Sequence, residues 1–211
     1  MGEKIDLKLK LKKTVFDSKS LDKPVTIEIK KNEKIQYIIL AIGNFTKNIT
    51  FKINGGNAEL EILGICLLKK DQNANIQITQ LHKHKNSNST NLVKTILKDF
   101  STFNFTGLIK IDKKASMTNA FLTQNTLNLS ENSINHSVPS LEINADDVKA
   151  SHAATTFFID EESLYYLKSR GISQTDSENL IIRGFIQAVI DKIQDQDKKK
   201  KVETKVEQYF C

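Results

Sequence analysis

One histidine stands at a junction where chemistry or assembly could take place. His152 lies in ADDVKASHAATTFFIDEESLYYLKSRGIS (residues 145–173), where a strand-like segment leads into a helix that acids open and a glycine closes. Imidazole is a common metal ligand, but a lone histidine is more often structural. The chain has no HExxH, GxGxxG, Walker or catalytic-triad pattern, so we expect no enzymatic activity.

The other histidines give weaker evidence of a metal site. His82 and His84 are two residues apart, so on a strand both would point to one face, as in some zinc sites. No cysteine or carboxylate cluster lies nearby, and LHKHKNSNST is typical of an exposed turn. We therefore predict a surface turn there rather than a metal site. His136 in INHSVP is predicted to be a loop residue.

The two cysteines favour a reducing compartment. Cys66 lies in the apolar run ILGICLL and is predicted to be a buried thiol, while Cys211 ends the chain. The N-terminus MGEKIDLKLK has no apolar segment of a signal peptide, and the longest apolar run falls well short of a membrane span of about 20 residues. These features predict a soluble cytoplasmic protein.

Charge and acid placement argue against two alternative functions. The 31 lysines and arginines outnumber the 25 acids, but the excess is dispersed, only Arg170 and Arg183 are arginines, and aromatic residues do not alternate with the lysines. This disfavours nucleic-acid binding. A carbohydrate-active β-helix enzyme needs paired carboxylates in a groove, whereas the adjacent Asp146 and Asp147 would point opposite ways on a strand.

From residue 5 to about residue 143 the apolar residues recur with a period of two, which predicts strands. Asn, Gly and Asp fill the separators, and no long loop of a Greek key is present. A barrel, a sandwich and a β-solenoid remain open, and the asparagines at strand ends favour the solenoid. The predicted strands are IDLKLKL, VTIEI, IQYIILAI, ITFKI, AELEILGICLL, ANIQITQL, NLVKTIL, FNFTGLIKI and TLNLS.

After Asp160 the period becomes helical. Asp160 can cap a first helix that ends at Gly171, and Ser173 with Asp176 resembles a capping box for a second. The tail could form an amphipathic helix that needs a partner surface, or it could be a frayed end. The second helix carries a wide apolar stripe of Ile181, Ile182, Phe185, Ile186, Val189, Ile190 and Ile193.

Several phrases of this chain, in order, resemble those of the SufB/SufD scaffold proteins of the SUF iron–sulfur cluster assembly machinery. They are NLVK, FNFTGLIKI, QNTLNLSENS, PSLEINADDVKASHAAT and IDEESLYYLKSRGIS, and the resemblance covers roughly residues 79–195. The wording of the last two is closer to SufD than to SufB. Because this chain begins directly with strands, it resembles a pared-down core of that family.

The resemblance implies a right-handed parallel β-helix followed by a small helical domain. In the family, two subunits pair through their β-helices as homodimers or SufB–SufD heterodimers, and the helical part docks the ABC-type ATPase SufC. We accordingly expect residues 1–158 to form the β-helix core, residues 159–196 an ATPase-docking helical domain, and residues 197–211 a charged tail. Ile181, Ile182, Phe185 and Ile186 are expected to serve in ATPase docking or helical packing.

The resemblance also implies site residues at the subunit interface. Val148, Ala150 and His152 match interface positions, and His152 is the expected iron or cluster-assembly ligand. The family motif carries cysteine at the position of Ala150, and a methyl group cannot replace a thiolate ligand. We therefore expect any cluster to be transient and shared with a partner, with none bound by the isolated chain. The alternative is a structural adaptor that binds the ATPase but no cluster.

Overall fold

The computed structural model describes residues 13–210. The predicted strand IDLKLKL and Cys211 lie outside the described residues. Eleven strands and three helices follow one another along the described chain. They are β1 (Lys13–Asp17), β2 (Val25–Ile29), β3 (Lys34–Ile42), β4 (Phe45–Ile53), β5 (Glu59–Leu68), β6 (Asn73–His82), β7 (Asn88–Leu97), β8 (Thr102–Ile111), β9 (Thr118–Asn128), β10 (Ile134–Ile143), β11 (Val148–Phe158), α1 (Glu161–Ser169), α2 (Gln174–Ile190) and α3 (Gln196–Phe210).

The strands alternate between two parallel sheets. The odd-numbered strands form a six-stranded sheet in the order β1-β3-β5-β7-β9-β11, and the even-numbered strands form a five-stranded sheet in the order β10-β8-β6-β4-β2. All pairings are parallel. Each turn of the chain thus adds one strand to each sheet, and the two sheets enclose a common core. This confirms the predicted parallel β-solenoid with helices at its C-terminal end.

Burial distinguishes the two sheets. In β4, β6 and β8 every second side chain is buried and the others face outward, as expected for a sheet with one covered face. In β3 and β5 nearly every side chain is buried, because helices cover the outer face of that sheet. The uninterrupted apolar runs IQYIILAI and EILGICLL are therefore the signature of the sheet that carries the helices.

One corner of the solenoid repeats a left-handed residue in each turn. Asn32, Asn57 and Asn86 have φ of 60°, 58° and 58°, a conformation that asparagine tolerates better than most residues. Asn57 Nδ2 donates to Asn32 Oδ1 at 3.2 Å, and Asn86 Nδ2 donates to Asn57 Oδ1. Met117 (φ 54°) and Asp147 (φ 53°) occupy the same corner in the next turns. The asparagine-rich separators therefore form a hydrogen-bonded ladder.

The first turns of the solenoid contain a buried ion pair. The Lys47 ammonium points inward, is 2% exposed and lies 2.7 Å from Asp17 Oδ2. Tyr37 donates its hydroxyl to the same carboxylate, and Lys47 also donates to the Lys19 carbonyl at 3.0 Å. Burial raises the pKa of Asp17, but the hydrogen bonds from Lys47 and Tyr37 outweigh it and hold the pKa below its ordinary value. The carboxylate is thus ionised and its charge compensated.

The predicted helix caps are confirmed. Asp160 accepts hydrogen bonds from the Ser163 amide at 3.0 Å and the Glu162 amide at 3.3 Å, so it caps α1. Gly171 has φ 84°, the left-handed conformation that ends a helix. Ser173 caps α2 by accepting from the Asp176 amide at 3.1 Å. The Asp176 carboxylate accepts from the Ser173 hydroxyl at 2.6 Å.

The helices α2 and α3 close a second core on the outer face of the six-stranded sheet. Val202 and Val206 of α3 are 0% and 4% exposed, so the tail is an amphipathic helix that packs on its own chain. None of the described helices is long and apolar enough to cross a membrane. The buried members of this core are Ile38, Leu40, Leu63, Ile65, Leu67, Ile96, Leu127, Ile182, Ile186, Val189, Ile190, Ile193, Val202 and Val206.

Candidate functional site

Strand β11 is the terminal strand of the six-stranded sheet. It pairs with β9 along its whole length, and no other strand of the described chain pairs with its second edge. Phe157 of β11 packs edge-on against Phe185 of α2, with ring centroids 5.4 Å apart, which fixes the helices to this end of the solenoid. The motif around Ser151 and His152 therefore lies on an open backbone edge, at the last turn and beside the helical region.

The register with β9 shows which way the side chains of β11 point. His152 pairs with Leu122, Ala150 with Ala120 and Val148 with Thr118, and all three β9 residues are buried in the solenoid. Register-matched residues of parallel strands point to the same face of the sheet. Val148, Ala150 and His152 therefore occupy interior-facing positions of the last turn. Val148 and Ala150 are half-buried against the core, whereas His152 is exposed.

Strand β10 supplies the other half of this open end. Asn135 Nδ2 donates to Thr156 Oγ1 of β11 at 2.7 Å, and Ser137 donates to Gln124 Oε1 of β9 at 2.7 Å. These hydrogen bonds join the two sheets at the last turn. Sequence patterns could not place Asn135 and Thr156 at the site, because their contact joins residues on different sheets. Interior-facing residues at this end are Asn135, Ser137, Pro139, Leu141, Ile143, Val148, Ala150, His152, Ala154 and Thr156.

Among the interior-facing residues at this end, His152 is the only one with a side chain that commonly binds metal ions. Its neighbours on the same face of β11 are the methyl groups of Ala150 and Ala154, and Leu122 lies beside it on β9. Within residues 13–210 no group of three or more His, Cys, Asp or Glu side chains could hold a metal ion. A cluster or iron ion at His152 would need its remaining ligands from outside residues 13–210.

The structure corrects the interpretation of His82. This residue is 0% exposed at the end of β6 and points into the core, whereas the sequence predicted an exposed turn. Its Nδ1 and Nε2 each lie 2.8 Å from a hydroxyl, those of Ser87 and Ser89. Burial lowers its pKa to about 4, so the imidazole is neutral. The segment was predicted to be a turn because it is rich in serine and asparagine. Ser87 and Ser89 are instead hydrogen-bond partners of His82 inside the solenoid.

The remaining candidates are distributed through the fold. His84 is exposed in the turn after β6, as predicted, and so lies apart from His82. His136 lies within β10, on the exposed outer face, so the prediction of a loop was wrong. The three consecutive polar residues Asn135, His136 and Ser137 and the nearby Pro139 hide the strand in the sequence. Cys66 is a buried free thiol as predicted, and burial raises its pKa to about 12.

The apolar stripe of α2 is turned toward its own chain. Ile182 and Ile186 are 4% and 1% exposed, and Ile181 and Phe185 are half-buried against the same core. All four residues therefore contribute to helical packing. The large apolar side chains that α1 and α2 leave exposed are Tyr165, Tyr166 and Leu180, at 74%, 56% and 52%. The stripe pattern could not single these out, because they lie outside it.

Comparison with known proteins points to one family. Residues 23–185 match the family model described as "SUF system FeS cluster assembly, SufBD core domain". The chain is similar to the "Iron-sulfur cluster assembly protein SufD" of Escherichia coli (strain K12), at 34% identity over 76% of this chain and 38% of that protein. It is also similar to the protein of that name in Bacillus subtilis (strain 168), at 35% identity over 65% of this chain and 31% of the relative. The chain thus spans less than half the length of these relatives.

Proposed function

Because this chain belongs to the SufB/SufD family of the SUF iron–sulfur cluster assembly system, we propose that it is a SufD-like scaffold subunit of that machinery. In this role it is not an enzyme. It pairs through the last turn of its solenoid with a second copy or with a SufB-like paralogue, and its C-terminal helices dock a SufC-like ABC ATPase. The iron–sulfur cluster is the cargo of the assembly, and the compartment is the cytoplasm.

The exposed interior-facing positions of β11 carry the pairing proposal. A last turn without a cover leaves an open strand edge and apolar groups such as Ile143 in contact with water, and Ile143 is 43% exposed. Such edges are normally covered, because their unpaired amides and carbonyls readily join another strand. A partner that covers this end would bury the apolar groups and place its own side chains beside His152.

His152 is the only ligand that we assign to the cargo. It stands at the open end with no thiolate beside it, because Ala150 occupies the neighbouring interior-facing position. The partner's cysteines would therefore hold most of the iron, and His152 would complete the site. In the alternative function the chain is an adaptor that holds the ATPase and binds no cluster. The missing thiolate at position 150 favours this alternative.

The ATPase is proposed to dock on the exposed side of α1 and α2. The sequence suggested the stripe of α2 for this contact, but Ile182 and Ile186 have no free surface while α2 packs on the sheet. Tyr165, Tyr166 and Leu180 have free apolar surface instead. Aromatic residues are enriched at protein interfaces, which supports this face as the docking surface.

The decisive experiment replaces His152 with alanine in the complex of this chain with its partner and ATPase. His152 is exposed and is not part of the buried core, so folding and pairing should survive. We expect the iron and sulfide retained after anaerobic reconstitution to fall several-fold. His136→Ala is the matched control, because His136 is equally exposed on the outer face of β10. An unchanged yield in a complex that still assembles would support the adaptor function. Failure of the wild-type chain to bind any partner would contradict both functions.

A further inference from the structure

A buried polar network crosses the interior of the solenoid near the end of β6. Gln80 Nε2 donates to Ser89 Oγ at 2.7 Å, and the two ring nitrogens of His82 contact Ser89 and Ser87. The Ser87 hydroxyl donates to the His84 carbonyl at 3.2 Å. Its oxygen is then free to accept from Nδ1–H of His82, and Nε2 accepts from Ser89. With this assignment, both serine hydroxyls and the ring N–H of His82 each donate one hydrogen bond within the network.

The network ends at polar atoms that no protein group satisfies. Gln80 Oε1 is buried without a hydrogen-bond partner, and so are both Oδ1 and Nδ2 of Asn91. The two residues are 0% and 3% exposed. A buried polar atom left without a partner costs roughly 1–3 kcal/mol, and in most proteins such atoms bind ordered water. Three of them in one region need a common explanation.

These atoms belong to one place in the fold. Ser89 and Asn91 are successive interior-facing residues of β7, and Gln80 reaches Ser89 from the facing sheet. Large side chains border the two residues in register: Phe51 and Ile109 flank Gln80, and Ile62 and Leu122 flank Asn91. In the column that contains Ser89, the next two turns hold Ala120 and Ala150, so small side chains run from this position toward the open end.

We propose that Gln80 and Asn91 form an internal hydration site that holds at least one ordered water molecule. Such a molecule would donate to Gln80 Oε1 and bond the amide of Asn91, and so provide the two or more polar partners that a buried water requires. A metal ion is a poor occupant, because both nitrogens of His82 are already engaged by hydroxyls and no group of three or more His, Cys, Asp or Glu side chains in residues 13–210 could hold one. The site does not depend on the proposed function.

A high-resolution crystal structure of the wild-type chain tests the proposal directly. We expect a solvent peak within hydrogen-bond distance of both Gln80 Oε1 and the Asn91 amide. A dry interior there, or an Asn91 side chain turned to bond protein atoms, would overturn the proposal.

A second test uses water-to-protein magnetisation transfer by NMR on ¹⁵N-labelled wild-type chain. We expect cross-peaks between long-lived water and the side-chain amide protons of Asn91. Gln124 is the matched control, because it is also 0% exposed but donates to Thr126 at 2.6 Å and accepts from Ser137 at 2.7 Å. Absence of the Asn91 cross-peaks, or equal cross-peaks at Gln124, would contradict a specific hydration site.

Discussion

The imidazole of His152 stands beside Leu122 in register, one turn further along the solenoid and on the same interior-facing side. Leu122 is 1% exposed because β11 lies next to it, whereas His152 is exposed because no strand within residues 13–210 covers the second edge of β11. The same column continues inward through Asn91 and Ile62. His152 thus occupies a core position of a solenoid that ends at its own strand, which is why a covering partner would bury it.

A thiolate introduced at position 150 should increase cluster retention. Ala150 and His152 share one face of β11, about 7 Å apart along the strand, so Ala150→Cys adds a soft ligand beside the imidazole. We expect the complex to retain more iron and sulfide after anaerobic reconstitution, measured by metal analysis and visible absorption. Ala153→Cys is the control, because Ala153 lies on the opposite face of the same strand. Equal gains from both variants would contradict a ligand role for the interior-facing side.

Acid should destabilise the chain through His82. Its pKa is about 4 in the folded chain and about 6.5 when unfolded, so the unfolded state binds the proton more readily. The stabilisation is therefore complete above about pH 6.5 and is lost as the pH falls through 4, by about 3 kcal/mol. Urea unfolding of wild type and His82→Asn at several pH values measures the difference. Parallel profiles for wild type and His82→Asn would contradict the prediction.

The buried ion pair should be sensitive to the loss of one partner. Lys47→Met leaves the largely buried Asp17 carboxylate without its cation, with hydrogen bonds only from the Tyr37 hydroxyl and the Lys19 amide, and we expect the free energy of unfolding to fall by about 3–5 kcal/mol. Combining Lys47→Met with Asp17→Leu removes both charges and should restore most of the loss. Chemical denaturation of the single and double variants checks both expectations. A double variant no more stable than Lys47→Met would show that packing, and not charge, dominates.

The corner ladder should accept an additional asparagine. Met117 has φ 54° at a corner where three earlier turns carry asparagine, and its side chain is 49% exposed. A left-handed conformation costs an ordinary residue about 1–2 kcal/mol, and asparagine tolerates it better. We expect Met117→Asn to raise the free energy of unfolding by about 1 kcal/mol, measured by urea denaturation. Met117→Leu retains the conformational cost and should produce no gain. Equal stabilities of the two variants would show that the corner carries no such cost.

Two positions on α2 should separate packing from docking. Ile186→Ala removes a side chain that is 1% exposed and should lower the free energy of unfolding by about 2–5 kcal/mol. Leu180→Ala changes a side chain that is 52% exposed and should leave stability within about 0.5 kcal/mol. Leu180→Ala should instead weaken ATPase binding in a pull-down or titration with the purified ATPase. Unchanged ATPase affinity would exclude Leu180 from the docking surface.

Local patterns were sufficient for much of the architecture. The strand VTIEI was predicted with the bounds that it has in the structure, and Asp160, Gly171 and Ser173 mark the helix ends as expected. These signals are short-range, because a strand period, a cap or a left-handed turn depends on neighbouring residues. β9 was predicted only in its C-terminal part, and it begins at Thr118. Thr118 and Gln124 point inward there, so the interior is partly polar and the apolar period is weak.

Sequence patterns could not show which residues come together in the solenoid. His82 and Ser89 were read as parts of an exposed separator, and Val148 and His152 were known only as positions on a strand. Their surroundings depend on register between residues about 30 apart along the chain, and no local pattern encodes that register. The amino-acid order thus specified most of the strands, the helix ends and the family motif. Only the tertiary structure showed that His82 is buried, that His152 is exposed and which face of α2 is covered, because burial depends on contacts between residues far apart in the sequence.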